Sequence, residues 1–461
     1  MTAVFWFRRD LRLADNQGLL AAFSYAKSTG DNDVAAVYFY SPLAYQNLEG
    51  IRQHSLTESI RALNTSMQDQ LNVAAAATSS ELAEKLIAIA NKTKTNRVFA
   101  MRLFDPEGIR QQIAVQKALS ENGCTLELIG SGYAVEPGTV VKPDGTNYRV
   151  YTPFYKSWVQ LLSETPMKKP ASSFSWLTIP KMKEIPKPEK PSPIKVIAGE
   201  AFALRTLQRF RKRALASYDE NRNRADLSGT SHLSHALAHG EIHPRTILAG
   251  LGDSPAEEVF RKEIAWREFY ADVLFHYPQT LTDYYEPKFK QLRYDTGKSA
   301  QSRFEAWCRG ETGYPMVDAG MRQLVTTGWM HNRVRMIVAS FLVKDLHLEW
   351  TQGAAFFEAH LSDYDPASNS HGWQWTAGCG TDASPYYRIF NPILQGLKFD
   401  PNGDYVRKYI PELSHIAGAA VHEPWEIFEG YQNGYPERIV DHNIERNESL
   451  ARLEELKNLS K

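Results

Sequence analysis

The residue types that could do chemistry gather in four segments between residues 218 and 392. The first is 263–270, EIAWREFY. On a helix, Glu263, Trp266, Arg267 and Tyr270 fall at i, i+3, i+4 and i+7 and share one face. A carboxylate, an indole and a guanidinium make an odd core stripe; the plain alternative is an amphipathic surface helix carrying a Glu–Arg pair. The second segment is 328–342, GWMHNRVRMIVASFL, where Trp329, Asn332, Arg333 and Met336 repeat that spacing. The apolar run beyond Met336 predicts a buried helix. Arg333 and Arg335 at its entrance then need partners, which Asp363 or Asp365 could supply. The third segment, 363–392, reads DYDPASNSHGWQWTAGCGTDASPYYRIFNP and is dense in Gly, Ser and aromatics. If its centre is helical, Asn369 and Trp373 share a face, and Trp375 points about 200° away from Trp373. One indole can then face a buried group while the other faces an open pocket. The fourth segment is 218–234, YDENRNRADLSGTSHLS. Its Gly229-Thr230-Ser231 turn offers hydroxyls and backbone N–H groups suited to phosphate, although Ser or Thr before a helix is also an ordinary N-cap.

These segments must be positioned by a scaffold, and the scaffold changes character along the chain. Residues 4–7, 34–40, 97–101 and 125–129 read as short buried strands, with helical spacing between them at 80–91 and 110–122. That alternation predicts an α/β domain with a Rossmann-like parallel sheet. No Gly-x-Gly-x-x-Gly follows the first strand, so a dinucleotide held in the usual Rossmann manner is not expected there. Residues 165–197 are rich in Pro, Lys and Ser and read as a surface connector. From about 199 onward strand signals nearly vanish and helical periodicity, broken by Gly and Pro, takes over. The expected division is an α/β domain over 1–130, a connector over 131–198 and an all-α domain over 199–461.

Composition narrows the class. Hydrophobic residues make up 43% and charged residues 23%, an ordinary globular balance. No apolar run is long enough to span a bilayer. The N-terminus places its apolar run before its arginines, the reverse of a secretory signal, so a cytoplasmic protein is expected. The three cysteines lack metal or disulfide spacing, and no metal site is expected. The 53 basic and 53 acidic residues cancel, so any nucleic-acid site must be a local basic patch. Six of the ten tryptophans fall between Trp266 and Trp375, and most of those serve core packing.

Five motifs carry a resemblance. TGYPMVDAGMRQL (312–324), GWMHNRVRM (328–336), GWQW (372–375), TDASPYYRIFNP (381–392) and the opening WFRRDLRL (6–13) resemble the photolyase/cryptochrome family, closest to class I photolyases of the cyclobutane pyrimidine dimer type. The resemblance runs from residue 3 to about 455 and is strongest over 200–415. It implies an antenna-type α/β domain, an all-α FAD-binding domain, and light-driven repair of UV-damaged DNA. In that reaction an electron passes from excited reduced anionic FAD to a flipped-out dimer, the ring splits, and the electron returns. Tyr218, Thr230, Ser231, Leu233 and Ser234 match phosphate and ribityl contacts. Arg267 and Trp329 match further FAD contacts, and Asp363, Asp365 and Asn369 match isoalloxazine and ribose contacts. Asn369 falls opposite flavin N5, where an amide oxygen can accept an N5–H bond. Arg335 would pair with Asp363 near the ring.

The same resemblance assigns Glu263, Trp266, Asn332, Arg333, Met336 and Trp375 to the lesion pocket, with Asn332 counted among the FAD contacts too. Trp266 and Trp375 would stack on the flipped bases. Glu263, protonated, would donate to a pyrimidine carbonyl. Arg222, Arg333, Arg388 and Lys398 are candidates for DNA phosphates. Trp373 and Trp350 match the proximal and middle members of the flavin-reducing tryptophan chain, whose distal position falls at Tyr294.

The sequence departs from the family pattern in places. Gly-Thr-Ser is followed by His232 where an arginine is usual, and His235 and His239 are unexpected there. The antenna chromophore would be a folate (methenyltetrahydrofolate) or a deazaflavin. Asp105 and Glu107 lie where the folate type carries a glutamate, but Asp283 falls where a lysine often contacts the folate; the reading leans to folate. The alternatives are a blue-light signalling cryptochrome, a (6-4) photoproduct enzyme, or a nucleic-acid binding module that kept the fold. Asn369 and the Glu263/Trp266/Trp375 set are repair-type and the chain carries no long tail, against the first. WMHNRVRM lacks the paired histidines of the second. A monomer is expected.

Overall fold

The computed structural model describes residues 2–162, 174–180, 182–382 and 387–459. Part of the expected connector and the Ala383–Ser384–Pro385–Tyr386 stretch of the TDASPYYRIFNP motif lie outside the described residues. β1 (Ala3–Phe7) is apolar and buried at every position, the pattern of a strand covered on both faces. It sits at the centre of a parallel sheet with β2 (Asp33–Tyr40), β3 (Asn72–Ala75), β4 (Arg97–Ala100) and β5 (Thr125–Leu128), in the order β3-β2-β1-β4-β5. A short β6 (Ser175–Trp176) pairs with the start of β2. The strands expected from sequence are present within one residue at each end. β3 is not visible in the pattern, because its first residue is a buried amide. Asn72 Nδ2 donates to Ala36 O (2.9 Å) and Leu177 O (3.0 Å), and its Oδ1 accepts from Ile179 N (2.6 Å). A polar residue thus does the work of joining the strand to the chain that returns beside it.

By contacts the chain divides into two units, 1–148 with 152–216 and 231–278, and 149–151 with 217–230 and 279–461. The first unit holds the sheet, with one apolar cluster on each face. It also holds helices Glu200–Arg213 and Pro255–His276, which lie beyond the boundary expected at 198/199. Glu268 and Asp272 explain part of this grouping. Buried Glu268 accepts from Ala134 N (2.5 Å), Val135 N (3.0 Å) and Trp158 Nε1 (2.6 Å), and Asp272 accepts from Gly138 N (2.7 Å).

The second unit is helical, around a core that includes Trp307, Tyr314, Phe341 and Trp350. Among the described residues no strand follows Trp176, no helix is long and apolar enough to cross a membrane, and no group of three metal-ligating side chains occurs.

Candidate functional site

Ser231, Leu233, Ser234, Glu263, Trp266 and Arg267 belong to the first unit. Helix Pro255–His276 opens on a capping box between Ser254 and Glu257, with Pro255 pre-set for the first turn. That start fixes the face. Ile264, Ala265, Glu268 and Phe269 are buried, while Glu263, Trp266, Arg267 and Tyr270 are half-buried. The Trp266 indole rests against Phe269 (5.7 Å between centroids) and Tyr270 (5.5 Å). Arg267 donates to the carbonyls of Gly132 (3.1 Å) and Leu237 (3.5 Å), with its guanidinium 4.7 Å from the Tyr133 ring centroid. The Leu237 carbonyl belongs to the short helix Ser234–Ala238 that follows the Thr-Ser turn. Ser231 Oγ closes that turn by accepting from Leu233 N (3.4 Å). His232 adopts φ +52°, a left-handed conformation that histidine tolerates better than most residues.

The unexpected histidines have a partner. The His235 and His239 rings lie 4.4 Å apart, and His235 Nε2 is 3.6 Å from the carboxylate of fully buried Glu241. Burial pushes the Glu241 carboxyl up, but the two imidazoles beside it prevail and hold it down at about 2.

The remaining candidates belong to the second unit. Here the structure corrects the sequence reading of 328–342. Gly328, at φ +67°, ends the preceding helix, and the next begins only at Asn332, capped by His331 Nδ1 accepting from Arg333 N (3.2 Å). Trp329 stands in the turn, its N–H on Thr327 Oγ1 (3.2 Å), and so does not share the helical stripe of Asn332 and Met336. Asn332 is exposed; Met336 is half-buried. The expectation that an aspartate pairs with the entrance arginines holds for Arg335, whose NH2 lies 2.7 Å from Asp363 Oδ2. Arg333 instead makes two bonds to Asn223 Oδ1 (3.1 and 2.8 Å) and lies over the Phe399 ring (4.7 Å). Tyr218 is buried, with the Arg222 guanidinium 5.9 Å from its ring centroid. Thr230 is half-buried.

Helix Pro366–Ala377 begins at Asp365, whose side chain caps it by accepting from Ser368 N (2.8 Å). On this helix Asn369 Nδ2 donates to Ala354 O (3.0 Å), which leaves Oδ1 as the outward acceptor. One turn later Trp373 is only 3% exposed, set between Phe357 (5.0 Å) and Trp307 (6.1 Å). Gly353 makes the room: a Cβ there would lie 2.1 Å from the indole. Trp375 is half-buried and lines a small cavity with Lys344, Tyr387 and Arg388. Lys344 Nζ donates to Arg388 O (2.5 Å) and lies 4.1 Å from the Tyr387 ring centroid.

Trp350 is fully buried at the start of helix Trp350–His360, edge-on to Tyr284 (5.9 Å), whose hydroxyl donates to Glu349 (2.9 Å). Burial, with Tyr284 nearby, pushes the Tyr294 phenol far above its ordinary value. Sequence reasoning missed Trp307, Tyr284, Gly353, Asn223 and Lys344. The three carboxylates tied to the antenna reading are all engaged. Asp105 caps helix Pro106–Glu121 and pairs with Arg9 (3.1 Å), Glu107 pairs with Arg110 (2.6 Å), and Asp283 with Lys290 (2.6 Å).

Two family models match the sequence. "DNA photolyase" covers residues 3–171, and "FAD binding domain of DNA photolyase" covers 260–455. The chain belongs to the DNA photolyase family. The deoxyribodipyrimidine photo-lyase of Agrobacterium fabrum is 39% identical to it over 97% of this chain and 96% of the relative. Among solved structures, a class III photolyase from Agrobacterium tumefaciens matches with a TM-score of 0.84 at 37% identity, covering 99% of this chain and 98% of that one. The cryptochrome of Synechocystis sp. PCC6803 also gives 0.84, at 28% identity, covering 98% of each. This photolyase therefore combines the family's α/β fold with a helical FAD-binding domain. Its residues fit that cofactor on structural grounds. Asp363 Oδ1 is buried with no hydrogen-bond partner among the described residues, and Asn369 presents a bare acceptor beyond its own bond. Both are what the N–H groups of an isoalloxazine need.

Proposed function

We propose that this photolyase repairs cyclobutane pyrimidine dimers in UV-damaged DNA, acting as a monomer. The observation that carries the reading is the orientation of Asn369. Its Nδ2 is spent on the Ala354 carbonyl, and the reverse flip would set two oxygens face to face. The group left pointing outward is an acceptor, suited to a flavin that carries a hydrogen at N5. FAD, when bound, supplies the light-excited electron. The chain's own residues do the rest. Arg335, held against Asp363, places a positive charge that favours an anionic ring. Trp266 and Trp375 are the stacking surfaces for the bases, Glu263 the proton-bearing group for a pyrimidine carbonyl, and Met336 an apolar wall. Asn332 serves both flavin and lesion. Tyr218, Thr230, Ser231, Leu233, Ser234, Arg267, Trp329 and Asp365 hold the cofactor, and Arg222 and Arg333 approach the DNA backbone. Trp373 and Trp350 carry the electron that restores the reduced flavin, with Tyr294 beyond them.

These roles rest on the pocket residues and not on the class within the family, since motifs of class I type coexist here with full-length similarity to a protein described as class III. A signalling role is the second reading, favoured by the likeness to a cryptochrome. Repair separates the two. A dimer-containing oligonucleotide, mixed with reduced protein under blue light, should regain monomeric thymines; a protein that binds the lesion and leaves it intact in the light refutes repair. The absorption spectrum of the native protein identifies the antenna, a folate giving a near-ultraviolet band and a deazaflavin a blue one.

A further inference from the structure

The second unit carries a groove built from residues that belong to neither the flavin nor the lesion set. It has a volume of about 690 Å³ and is walled by helices Lys298–Arg309, Pro315–Thr327, Trp350–His360 and Asp404–Tyr409. That volume falls within the range of small-molecule sites, roughly 300–1,000 Å³. Its floor is aromatic and fixed. His360 stacks on Phe356 with centroids 4.0 Å apart and planes 25° off parallel, and His360 Nδ1 is 2.9 Å from the Phe356 carbonyl. The Tyr409 phenol accepts from Gln323 Nε2 (3.1 Å). Its rim is one-signed. The ionic side chains that line it are Arg309, Arg322 and Lys408, with no acid among them. Arg322 is bound by Glu412 at 2.8 Å and Arg309 by Glu311 at 2.7 Å, both acids lying outside the wall. Lys408 is exposed and has no carboxylate partner among the described residues; its Nζ lies 5.1 Å from the Tyr409 ring centroid.

We propose that this groove binds a planar aromatic molecule carrying one phosphate or carboxylate. The ring would lie on the Phe356–His360 stack and the anion would meet Lys408 and the outward N–H groups of Arg309. The rings behind the floor continue inward: Phe356 lies 5.7 Å from Trp307, and Trp307 6.1 Å from Trp373. A bound chromophore would therefore be separated from the Trp373 indole by a short line of aromatic groups.

Flavin mononucleotide and riboflavin share a ring and differ by a phosphate, so together they test both halves of the claim. Each is dialysed to equilibrium against the full FAD-loaded chain in the dark and without DNA, which keeps the outcome separate from repair. Flavin mononucleotide should bind saturably at one equivalent beyond the resident FAD, about tenfold or more tighter than riboflavin. Arg309→Glu with Lys408→Glu should remove that advantage and leave riboflavin unchanged, while His360→Ala and the groove-filling Val325→Trp should weaken both. Thermal melting checks that each variant is folded. No saturable binding of either compound, equal binding of the two, or flavin mononucleotide binding that ignores all these substitutions overturns the proposal.

Discussion

Trp373 is held by shape alone. Its indole N–H has no hydrogen-bond partner among the described residues, and its place is set by Phe357, Trp307 and the missing side chain of Gly353. Trp373→Phe should abolish photoreduction of the purified protein in the presence of an external reductant, followed by bleaching of the oxidised flavin band under blue light. Gly353→Ala should slow it by displacing the ring, with the flavin content unchanged. Unaltered photoreduction in Trp373→Phe sinks the relay assignment. Lys344 makes a different kind of statement. Burial brings its ammonium down to about 7. The unfolded chain therefore binds one more proton than the native protein above that pH, and stability rises with pH through the window up to the ordinary lysine value. Relative to Lys344→Met, the wild type should gain about 2 kcal/mol between pH 7 and pH 9, measured by urea unfolding; a flat difference rules this out. Asn369, Trp373 and Arg335 were legible in the sequence because helical spacing and the need to neutralise a buried cation announce them. Gly353 and Lys344 were not, because nothing local marks a glycine whose role is to clear space for a ring twenty residues on, or a lysine inside an apolar run.

At the scale of elements, part of a motif that signals the family serves the fold. In TGYPMVD, buried Asp318 accepts from Thr312 N (2.8 Å), Thr312 Oγ1 (2.6 Å), Gly313 N (3.0 Å) and the Tyr435 hydroxyl (2.5 Å). It folds the chain back onto the first turn of helix Pro315–Thr327 and ties it to a distant tyrosine. Asp318→Asn turns one acceptor oxygen into a donor facing donors and should cost about 3 kcal/mol, seen as a lower denaturant midpoint; a loss under 1 kcal/mol contradicts the clamp. The start of helix Asn332–Lys344 was misplaced from sequence because its cap is a histidine, outside the residue types that normally mark a helix start. β3 escaped for a related reason: its opening position is stabilised by amide bonds to other segments and not by its own alternation.

For the molecule as a whole, a formal charge of zero means that discrimination cannot come from bulk attraction to DNA. In the proposed reading Trp266 and Trp375 supply it by stacking on the flipped bases. Trp375→Ala and Trp266→Ala should each weaken binding of dimer-containing duplex about tenfold to a hundredfold, in keeping with ~1–3 kcal/mol per stacked base, while affinity for undamaged duplex stays level. Gel-shift titration at fixed salt decides it, and equal losses on both duplexes remove these indoles from lesion recognition. The fold class was readable from alternating apolar runs and their disappearance after residue 199. The grouping of 231–278 with the sheet was not, because it depends on side chains such as Glu268 reaching backbone far away in sequence.

Glu268 has one more consequence. The Ala134 and Val135 amides lie in irregular chain, where exchange with solvent deuterium is normally rapid, yet both are capped by a carboxylate with no exposure of note. They should exchange as slowly as the amides at the centre of β1, released only when the sheet-bearing unit opens as a body. In Glu268→Gln the same two hydrogens should be lost early, so that a loop becomes a reporter on the cohesion of the unit that contains it.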